Sequence, residues 1–338
     1  MGYKISLLDQ SPIFENESAF DSLQHTVQLA QSAEKWGYHR FWVSEHHNAE
    51  RLAGSSPEVL ISYLLAKTKK IRIGSGGVML QHYSPYKVAE NFNVLSALEP
   101  GRVDLGIGKA PGGLPLSTKA LQYGTVNDGH DFEGRLTLLG QILENKIPEG
   151  HPFSGVKASP NPPERPGYYL LGASANSAEL AAKNGWNFVF AHFINSDIGI
   201  WEEAAQTYQK LQESGTLVMA LSVFAATSQK EAEERTADQI VHKVLLKSGR
   251  SVTVQSFEQA EQFGRQSGEE FQIKEQKIST IAGTPSYIQE VLNHYHQAYG
   301  VKEFILHTPV EDRHARFQSF RLLSPAQLFS EKREEYVS

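Results

Sequence analysis

Residues 168–191, YYLLGASANSAELAAKNGWNFVFA, contain a strand, a helix and a second strand in close succession. Tyr168–Leu171 and Phe188–Ala191 are short apolar runs typical of buried strands, and Ala175–Asn184 between them is predicted to be helical. Two strands joined through one helix run parallel, because the helix returns the chain to the starting edge of the sheet. The segment therefore predicts one β-α-β unit of an α/β fold.

The same alternation extends in both directions from this unit. Further strands are predicted at Tyr3–Leu8, Arg40–Ser44, Ile71–Leu80, Arg102–Ile107, Leu217–Ala226 and Phe304–Leu306. Helices are predicted at Ser18–Trp36, Pro57–Lys67, Pro85–Leu98, Arg135–Leu143, Ile198–Glu213, Thr284–Tyr299 and Asp312–Leu323. Eight strands separated by helices predict a closed parallel (β/α)8 TIM barrel, and 338 residues suit one such barrel with insertions.

The segment 228–279 is left over between the seventh strand and the helix that normally follows it. It is polar and helix-prone, with Glu231, Glu233, Glu234 and Arg235 close together. We predict a helical insertion between strand 7 and strand 8 that covers the carboxyl face of the barrel as a lid. The whole chain, 1–338, is expected to form a single domain.

The composition excludes several kinds of site and partner. The chain has no cysteine, so disulfides, thiolate metal sites and a cysteine nucleophile are excluded. A net charge of −6 argues against nucleic acid as the main partner. Lys4 and Asp9 interrupt the first apolar run, which is therefore no signal peptide, and no run approaches the roughly 18 apolar residues of a membrane helix. We expect a soluble, cytoplasmic protein that does not bind membranes.

In a barrel of this kind, the loops that follow the strands build the binding site. The fifth strand runs through Gly172 and Ala173 into Ser174 and then directly into a helix. The free N–H groups at the helix start, with the hydroxyls of Ser174 and Ser177, would form an anion pocket. Lys109, after the fourth strand, would add a positive charge. Taken alone, Ser174 is more simply explained as a helix N-cap.

Glycines are concentrated after the third strand, at Gly74, Gly76 and Gly77. They indicate either that a ligand approaches the backbone closely or that the strand contains a simple bulge. Neither this run nor Gly106-Ile-Gly108 has the third glycine of the dinucleotide-binding pattern. A nicotinamide-binding fold of the Rossmann kind is therefore not expected.

Glu45, His46 and His47 follow the second strand. Adjacent residues of an extended segment point to opposite sides, and no second pair of ligands accompanies them, so a metal site is disfavoured. A lone histidine at a strand end is often a structural polar residue. Because two histidines and an acid lie together where a site is expected, a catalytic role for His46 is an equally good interpretation.

These segments together resemble the bacterial luciferase-like monooxygenase family. The residues that carry the likeness are Phe41–Asn48, Ile73–Leu80, Pro85–Asn91, Gly101–Gly108, Leu171–Glu179 and Ala282–Pro285. The likeness covers most of residues 3–195 and 279–323. Each segment is weak evidence alone, but the ordered set is specific.

The resemblance implies a cofactor, FMN, and a position for it. The family would place the flavin phosphate on Ser174, Ser177 and the backbone near Ala173. Lys109 stands where luciferase has an arginine, so the charge is kept without the bidentate fork. Ser75, Gly76 and Gly77 are also expected to bind the cofactor. Gly76–Gly77 matches a position where the family often has a non-proline cis peptide beneath the flavin ring.

His46 matches the luciferase histidine thought to act as a base near the flavin. Gly108 stands where luciferase has a reactive cysteine, so light emission is not expected. The resemblance further implies that a separate flavin reductase supplies reduced FMN, that dioxygen is used to oxygenate a small organic substrate, and that the protein is a homodimer packed through helices two and three. Three alternatives stay open, namely a non-catalytic flavin-binding protein, a deazaflavin-dependent oxidoreductase of the same family and a metal-dependent barrel hydrolase.

Overall fold

The structure is a computed structural model that describes residues 2–124, 131–212 and 214–328. Its strands are β1 (Lys4–Asp9), β2 (Arg40–Val43), β3 (Arg72–Ser75), β4 (Val78–Met79), β5 (Val103–Gly108), β6 (Gly167–Gly172), β7 (Asn187–Ala191), β8 (Leu217–Ala225), β9 (Ile240–Leu246), β10 (Ser251–Val254), β11 (Phe271–Lys277), β12 (Ile281–Gly283) and β13 (Glu303–His307). Its helices are α1 (Ala19–Lys35), α2 (Pro57–Lys67), α3 (Pro85–Leu98), α4 (Pro115–Leu121), α5 (Phe132–Leu143), α6 (Ala175–Lys183), α7 (Ile198–Leu211), α8 (Gln229–Thr236), α9 (Phe257–Ser267), α10 (Pro285–Tyr299), α11 (Arg313–Leu322) and α12 (Pro325–Leu328).

Eight parallel strands close into a barrel in the order β1-β2-β3-β5-β6-β7-β8-β13, and β13 pairs again with β1. The predicted (β/α)8 barrel and its eight strands are confirmed. The predicted third strand is divided in two, because β3 and β4 both pair with β5 and the Gly76–Gly77 peptide between them is cis. The predicted helices are also present. Glu213, the predicted end of α7, and both ends of the predicted domain, Met1 and 329–338, lie outside the described residues.

Alternate side chains of each strand point into the barrel, as the period of an extended chain requires. Near the amino end the interior is charged, since Arg40 binds both Asp104 and Glu303, and Ser6 donates to Glu303. The next layer is apolar and is formed by Leu8, Trp42, Tyr169, Val189, Val218, Ala220 and Ile305. The barrel is therefore packed through its lower half, and space for a ligand begins only at the carboxyl end.

The outward side chains of the strands pack against the surrounding helices and form the largest core of the protein. Side-chain caps fix where several helices begin. Ser18 caps α1 in a capping box with Asp21, and Thr284 caps α10 by accepting the N–H of Tyr287. Each of these caps was visible in the sequence, which explains why the predicted helix starts are accurate.

The insertion lies between the seventh and eighth barrel strands as predicted, but it is only partly helical. It contains α8 and α9, but between and after them lies a three-stranded antiparallel sheet in the order β10-β9-β11. The acidic segment that suggested helix accounts only for α8. The residues beyond it include β-branched side chains and a turn at Gly249, whose φ is +84°, and they pack a small separate core around Val244, Leu246 and Ala260.

Candidate functional site

The site residues predicted from the sequence follow four consecutive barrel strands, all at the carboxyl end. His46 follows β2, Ser75 ends β3 and is followed by Gly76 and Gly77, Lys109 follows β5, and Ala173–Ser177 follow β6. The pairing of Ile107 with Leu170 sets β5 and β6 side by side, so Lys109 and Gly172 leave the barrel on neighbouring strands. The structure thus brings the predicted anion pocket, the predicted cation and the glycine-rich segment to one arc of the barrel mouth.

The first turn of α6 forms the predicted cradle. The Ser174 hydroxyl accepts the N–H of Ser177 at 3.3 Å, and the two hydroxyl oxygens lie 3.2 Å apart. Ser174 is therefore an N-cap, as the simpler interpretation required. The capping role does not remove the anion site, since the first amides of a helix have no intrahelical acceptor and the helix dipole is positive there. Both serines are partly accessible.

Gly172 makes this cradle possible. A Cβ at position 172 would lie 2.2 Å from the Cβ of Ser177, so any larger residue would displace the first turn of α6. Asn195, from the loop after β7, donates to the carbonyl of Ala173 at 3.4 Å and holds the turn from the other side. The local backbone is fixed before any ligand arrives, which lowers the entropy cost of binding.

Lys109 is exposed, and its ammonium lies 5.8 Å from the ring centroid of Phe132, the first residue of α5. No described carboxylate forms an ion pair with it. A flexible lysine that is not paired with an acid can turn toward an anion on the adjacent strand end.

Between His46 and Lys109, the mouth of the barrel is formed by the backbone of Gly76, Gly77 and Gly106, which we call the glycine floor. A Cβ on Gly77 would lie 2.9 Å from the carbonyl oxygen of Gly106, and one on Gly106 would lie 2.1 Å from the carbonyl oxygen of Ser75. The Ser75 hydroxyl donates to the Gly106 carbonyl and accepts the Gly106 N–H, at 2.9 and 3.0 Å. Ser75 is fully buried, so its part in the structure is to hold the Gly106 backbone in place through these two hydrogen bonds.

An apolar cavity lies directly inside this floor. It is lined by Leu8, Trp42, Gly76, Leu171, Val189, Ala191, Phe193, Ala220 and Ile305. The lining offers no charged side chain, but the space measures only about 20 Å³, so the cavity can take a small apolar group and cannot enclose a ring system.

His46 is held at the edge of the mouth by two contacts. Its backbone N–H donates to the carbonyl of Gly54 at 2.8 Å, and its Nδ1 lies 3.1 Å from the Ser44 hydroxyl. Burial is the main cause that lowers the pKa of His46 to about 4; the neighbouring His47 contributes to this shift and Glu45 opposes it. The ring is therefore neutral at physiological pH and can accept or donate a proton.

Sequence analysis missed the network around Glu45. This fully buried carboxylate accepts hydrogen bonds from His47 Nε2 at 2.7 Å, the Tyr83 hydroxyl at 2.8 Å and the Met79 N–H at 3.1 Å. His47 in turn donates its backbone N–H to the carbonyl of Gly112, in the loop that follows Lys109. Adjacent histidines thus have different tasks, since His47 ties loops together and His46 faces the mouth. Tyr83 is far from Glu45 in sequence, so only the tertiary structure reveals the network.

The residues at this arc of the mouth suit an anionic ligand, since α6 begins with free amides and two partly accessible hydroxyls, and the exposed Lys109 has no ion pair among the described residues. Glycine at positions 172, 77 and 106 is required by the packing of the chain itself, since a Cβ there would meet protein atoms. Among the described residues, no group of three histidine, aspartate or glutamate side chains is placed to hold a metal ion. In the described part of the chain, no helix is long and apolar enough to cross a bilayer.

Comparison with known proteins places the chain in a family. The family model described as luciferase-like monooxygenase matches residues 3–301. The chain belongs to that family. The resemblance recognised in the separate segments is thereby confirmed, and it extends through the insertion.

Three similar proteins illustrate the range of this family and fold. An "N-acetyl-S-alkylcysteine monooxygenase" of Bacillus subtilis (strain 168) is 46% identical over 332 residues, which cover 97% of this chain and 99% of that protein. The crystal structure of apo-MsnO8 has a TM-score of 0.75 at 32% identity and covers 96% of this chain and 98% of its own. The oxygenating constituent of 3,6-diketocamphane monooxygenase from Pseudomonas putida, solved with FMN, has a TM-score of 0.67. At 18% identity, with 98% of this chain and 99% of that chain covered, it shows a common fold alone.

Proposed function

We propose that this luciferase-like protein is the oxygenase of a two-component system, which takes reduced FMN from a separate flavin reductase and oxygenates a small organic substrate with dioxygen. One observation supports this most directly. The anion cradle at 172–177, the glycine floor and the neutral His46 follow consecutive strands around one apolar mouth. We further propose that the protein acts as a homodimer in the cytoplasm.

The residues present have separate roles in this proposal. Amides and hydroxyls at the start of α6 bind the phosphate, and Lys109 balances its second negative charge. Gly76, Gly77 and Gly106 let a planar ring approach the backbone closely. The reduced flavin supplies the electrons that activate dioxygen. The chain positions this cofactor and excludes bulk water, which favours transfer of oxygen to substrate over loss as hydrogen peroxide.

His46 is the proton-handling residue in the proposal. Its neutral ring at the edge of the mouth can take a proton from the reacting region and return it, which contributes typically 10²- to 10⁴-fold in rate. Ser44, 3.1 Å from Nδ1, orients the ring toward the mouth. Glu45 does not serve this purpose, since its carboxylate is already occupied by three donors.

The substrate class is proposed from the bacillar relative. Because that protein is 46% identical over nearly its whole length, N-acetyl-S-alkylcysteines are the first compounds to test. The apolar cavity lining is compatible with a thioether and a short alkyl group.

A single experiment tests the proposed reaction. The apoprotein is loaded anaerobically with photoreduced FMN and mixed with air-saturated buffer and N-acetyl-S-methylcysteine. We expect a blue-shifted absorption transient and one equivalent of oxygenated thioether. Uptake of FMN without product from any of a panel of thioethers would instead indicate a non-catalytic flavin-binding protein. Turnover with a deazaflavin and without dioxygen consumption would indicate the deazaflavin alternative.

A further inference from the structure

His307 is a second histidine at the barrel mouth, and neither the anion cradle nor the proposed proton transfer involves it. It is the last residue of β13, on which Glu303 and Ile305 point into the barrel, to the charged layer and the apolar layer respectively. The alternation along a strand therefore directs His307 inward, one layer above Ile305. Ile305 lines the apolar cavity, so His307, two residues further along the strand, lies on the carboxyl side of that cavity.

The surroundings of the ring place it in the same mouth as His46. Its centroid lies 5.7 Å from that of Phe193, which lines the cavity. Burial is the main cause that lowers the pKa of His307 to about 3, and Arg316 and His46 contribute to this shift, which places the two histidines within electrostatic reach of each other. At physiological pH both rings are neutral.

The polar neighbours of His307 are committed elsewhere. Arg316 binds Asp9 at 2.8 Å and donates to the carbonyl of Thr308. The hydroxyl of Ser222, which is paired with His307 across the sheet, lies 2.8 Å from the hydroxyl of Thr280. The Leu8 backbone is the single hydrogen-bonding contact of the ring among the described residues, and Nδ1 is buried without a partner there. Because the one N–H of the neutral ring is directed to the Leu8 carbonyl, Nδ1 remains as a hydrogen-bond acceptor for a ligand, and a buried polar atom without a partner is costly.

We propose that His307 is a substrate-contacting residue, whose neutral imidazole accepts at Nδ1 a hydrogen bond from an amide N–H of the substrate on the β13 side of the mouth. This inference rests on the proposed function and narrows it. The apolar cavity takes the small apolar end of the substrate, and His46 serves the reacting centre. His307 then selects small molecules that combine an apolar chain with an amide N–H.

The test compares two ligands that differ only in the amide. Calorimetry on the protein saturated with oxidised FMN measures the dissociation constants of N-acetyl-S-butylcysteine and of 3-(butylthio)propionate, which lacks the acetamido group. Wild type should bind the amide-bearing compound at least tenfold more tightly. His307→Phe should abolish this preference through weaker binding of the amide compound alone, and His307→Gln, whose side-chain carbonyl keeps an acceptor, should restore part of it.

His192 provides the matched control. It is also buried with an unpartnered Nδ1 and a lowered pKa, but its ring lies against Tyr295 of α10, outside the barrel wall. His192→Phe should keep the tenfold preference, and both variants should bind FMN as wild type does.

Two outcomes would overturn the proposal. One is an unchanged preference in His307→Phe, and the other is a wild-type protein that binds both compounds equally or binds neither. Because the measurement requires no turnover, it is separate from the test of the proposed reaction. A protein that prefers the amide but never oxygenates it would retain the His307 assignment and refute the monooxygenase proposal.

Discussion

Gly172 is the residue on which the anion cradle depends most directly. In Gly172→Ala the new Cβ would lie 2.2 Å from Ser177 Cβ, so the first turn of α6 would have to move. We expect FMN affinity to fall at least tenfold and the free energy of unfolding to fall by about 1–3 kcal/mol, the usual range for overpacking. Flavin fluorescence titration and urea unfolding measure the two effects.

Gly140→Ala is the control for that substitution. Gly140 lies within α5, and a Cβ there would meet Trp186 Nε1 at an ordinary 3.5 Å. The FMN affinity of Gly140→Ala should equal that of wild type, and the better helix propensity of alanine should stabilise the variant by up to about 1 kcal/mol. If Gly172→Ala bound FMN as tightly as wild type, the phosphate would have to lie elsewhere.

His46→Asn separates proton handling from cofactor binding. We expect it to keep the affinity for reduced FMN within about twofold and to lower oxygenation by 10²-fold or more. Because burial lowers the pKa of His46 to about 4, the neutral ring predominates above about pH 5. The rate of oxygenation in wild type should therefore hold steady from pH 7 to 5 and fall only as the pH approaches 4.

The pH profile can also contradict the proposed role of His46 in proton handling. An acid limb near pH 6.5 in wild type, or normal turnover by His46→Asn, would show that His46 does not handle the proton. The chain bears 13 histidines, so His192→Asn, at a site outside the barrel wall, is run in parallel.

Site residues at strand ends could be predicted from the sequence, because the hydrophobic pattern of one strand is enough to locate the residue that follows it. Ser174 follows β6 and His46 follows β2, so locating the strand located the residue. The cis peptide at Gly76–Gly77 was expected from the family resemblance and is present. The partners of Glu45 and the position of Lys109 over Phe132 depend on loops that meet only after folding. His307 follows from inward alternation on β13, but the predicted strand Phe304–Leu306 stopped one residue short of it.

The insertion is the element for which we propose a separate function, that of a lid over the barrel mouth. Its own core is small, and it reaches across the barrel mouth, where the Gln266 side chain of α9 accepts the N–H of Leu116 at the start of α4. It is connected to the barrel after β8, whereas α4 follows β5, so it spans the opening. An element in this place can shield the reaction from water.

The pairing within the sheet permits a clean excision. Ile240 and Lys277 face each other across β9 and β11, so residues 241–276 can be replaced by a short glycine–serine turn. We expect the shortened protein to fold and to bind reduced FMN, but to release most of the consumed oxygen as hydrogen peroxide. Peroxide and product are quantified for each equivalent of reduced flavin.

Two point variants refine this experiment. Gln266→Ala removes the contact with Leu116 and should also raise the ratio of hydrogen peroxide to oxygenated product, but to a smaller extent than the excision. Gln259→Ala removes a hydrogen bond within the insertion, to the N–H of Gln255, and should leave the ratio unchanged. An excised protein with the same product yield as wild type would show that the insertion is not a lid.

Strand and helix periods predicted the barrel well because most elements are long and regularly spaced. The insertion was predicted less well for a physical reason. Its strands are exposed on one face, and β11 carries Lys274, Glu275, Gln276 and Lys277 in succession, so the period-two signal is weak. Charged residues of this kind protect an edge strand from pairing with other chains, and in sequence they resemble an exposed helix.

The molecule as a whole has one surface that suits the proposed homodimer. Val59 and Tyr63 on α2, and Val94 and Leu98 on α3, are exposed large side chains at helical spacing on two helices that pack together. A cluster of this kind is typical of an interface. We expect Tyr63→Glu combined with Leu98→Glu to halve the mass measured by light scattering in solution.

Leu211→Glu is the control, because Leu211 is equally exposed but lies on α7, away from α2 and α3. Its mass should match that of wild type. A monomeric wild type at micromolar concentration, or a double variant of unchanged mass, would contradict the proposed dimer.

The central claim is that the start of α6 and Lys109 bind the phosphate of a flavin. An anaerobic calorimetric titration of the protein with reduced FMN and, separately, with reduced riboflavin tests it most directly, because the two ligands differ only in that phosphate. The account predicts stoichiometric uptake of FMN with an affinity at least tenfold above that for riboflavin. Equal affinities, or no uptake of FMN in either redox form, would contradict it.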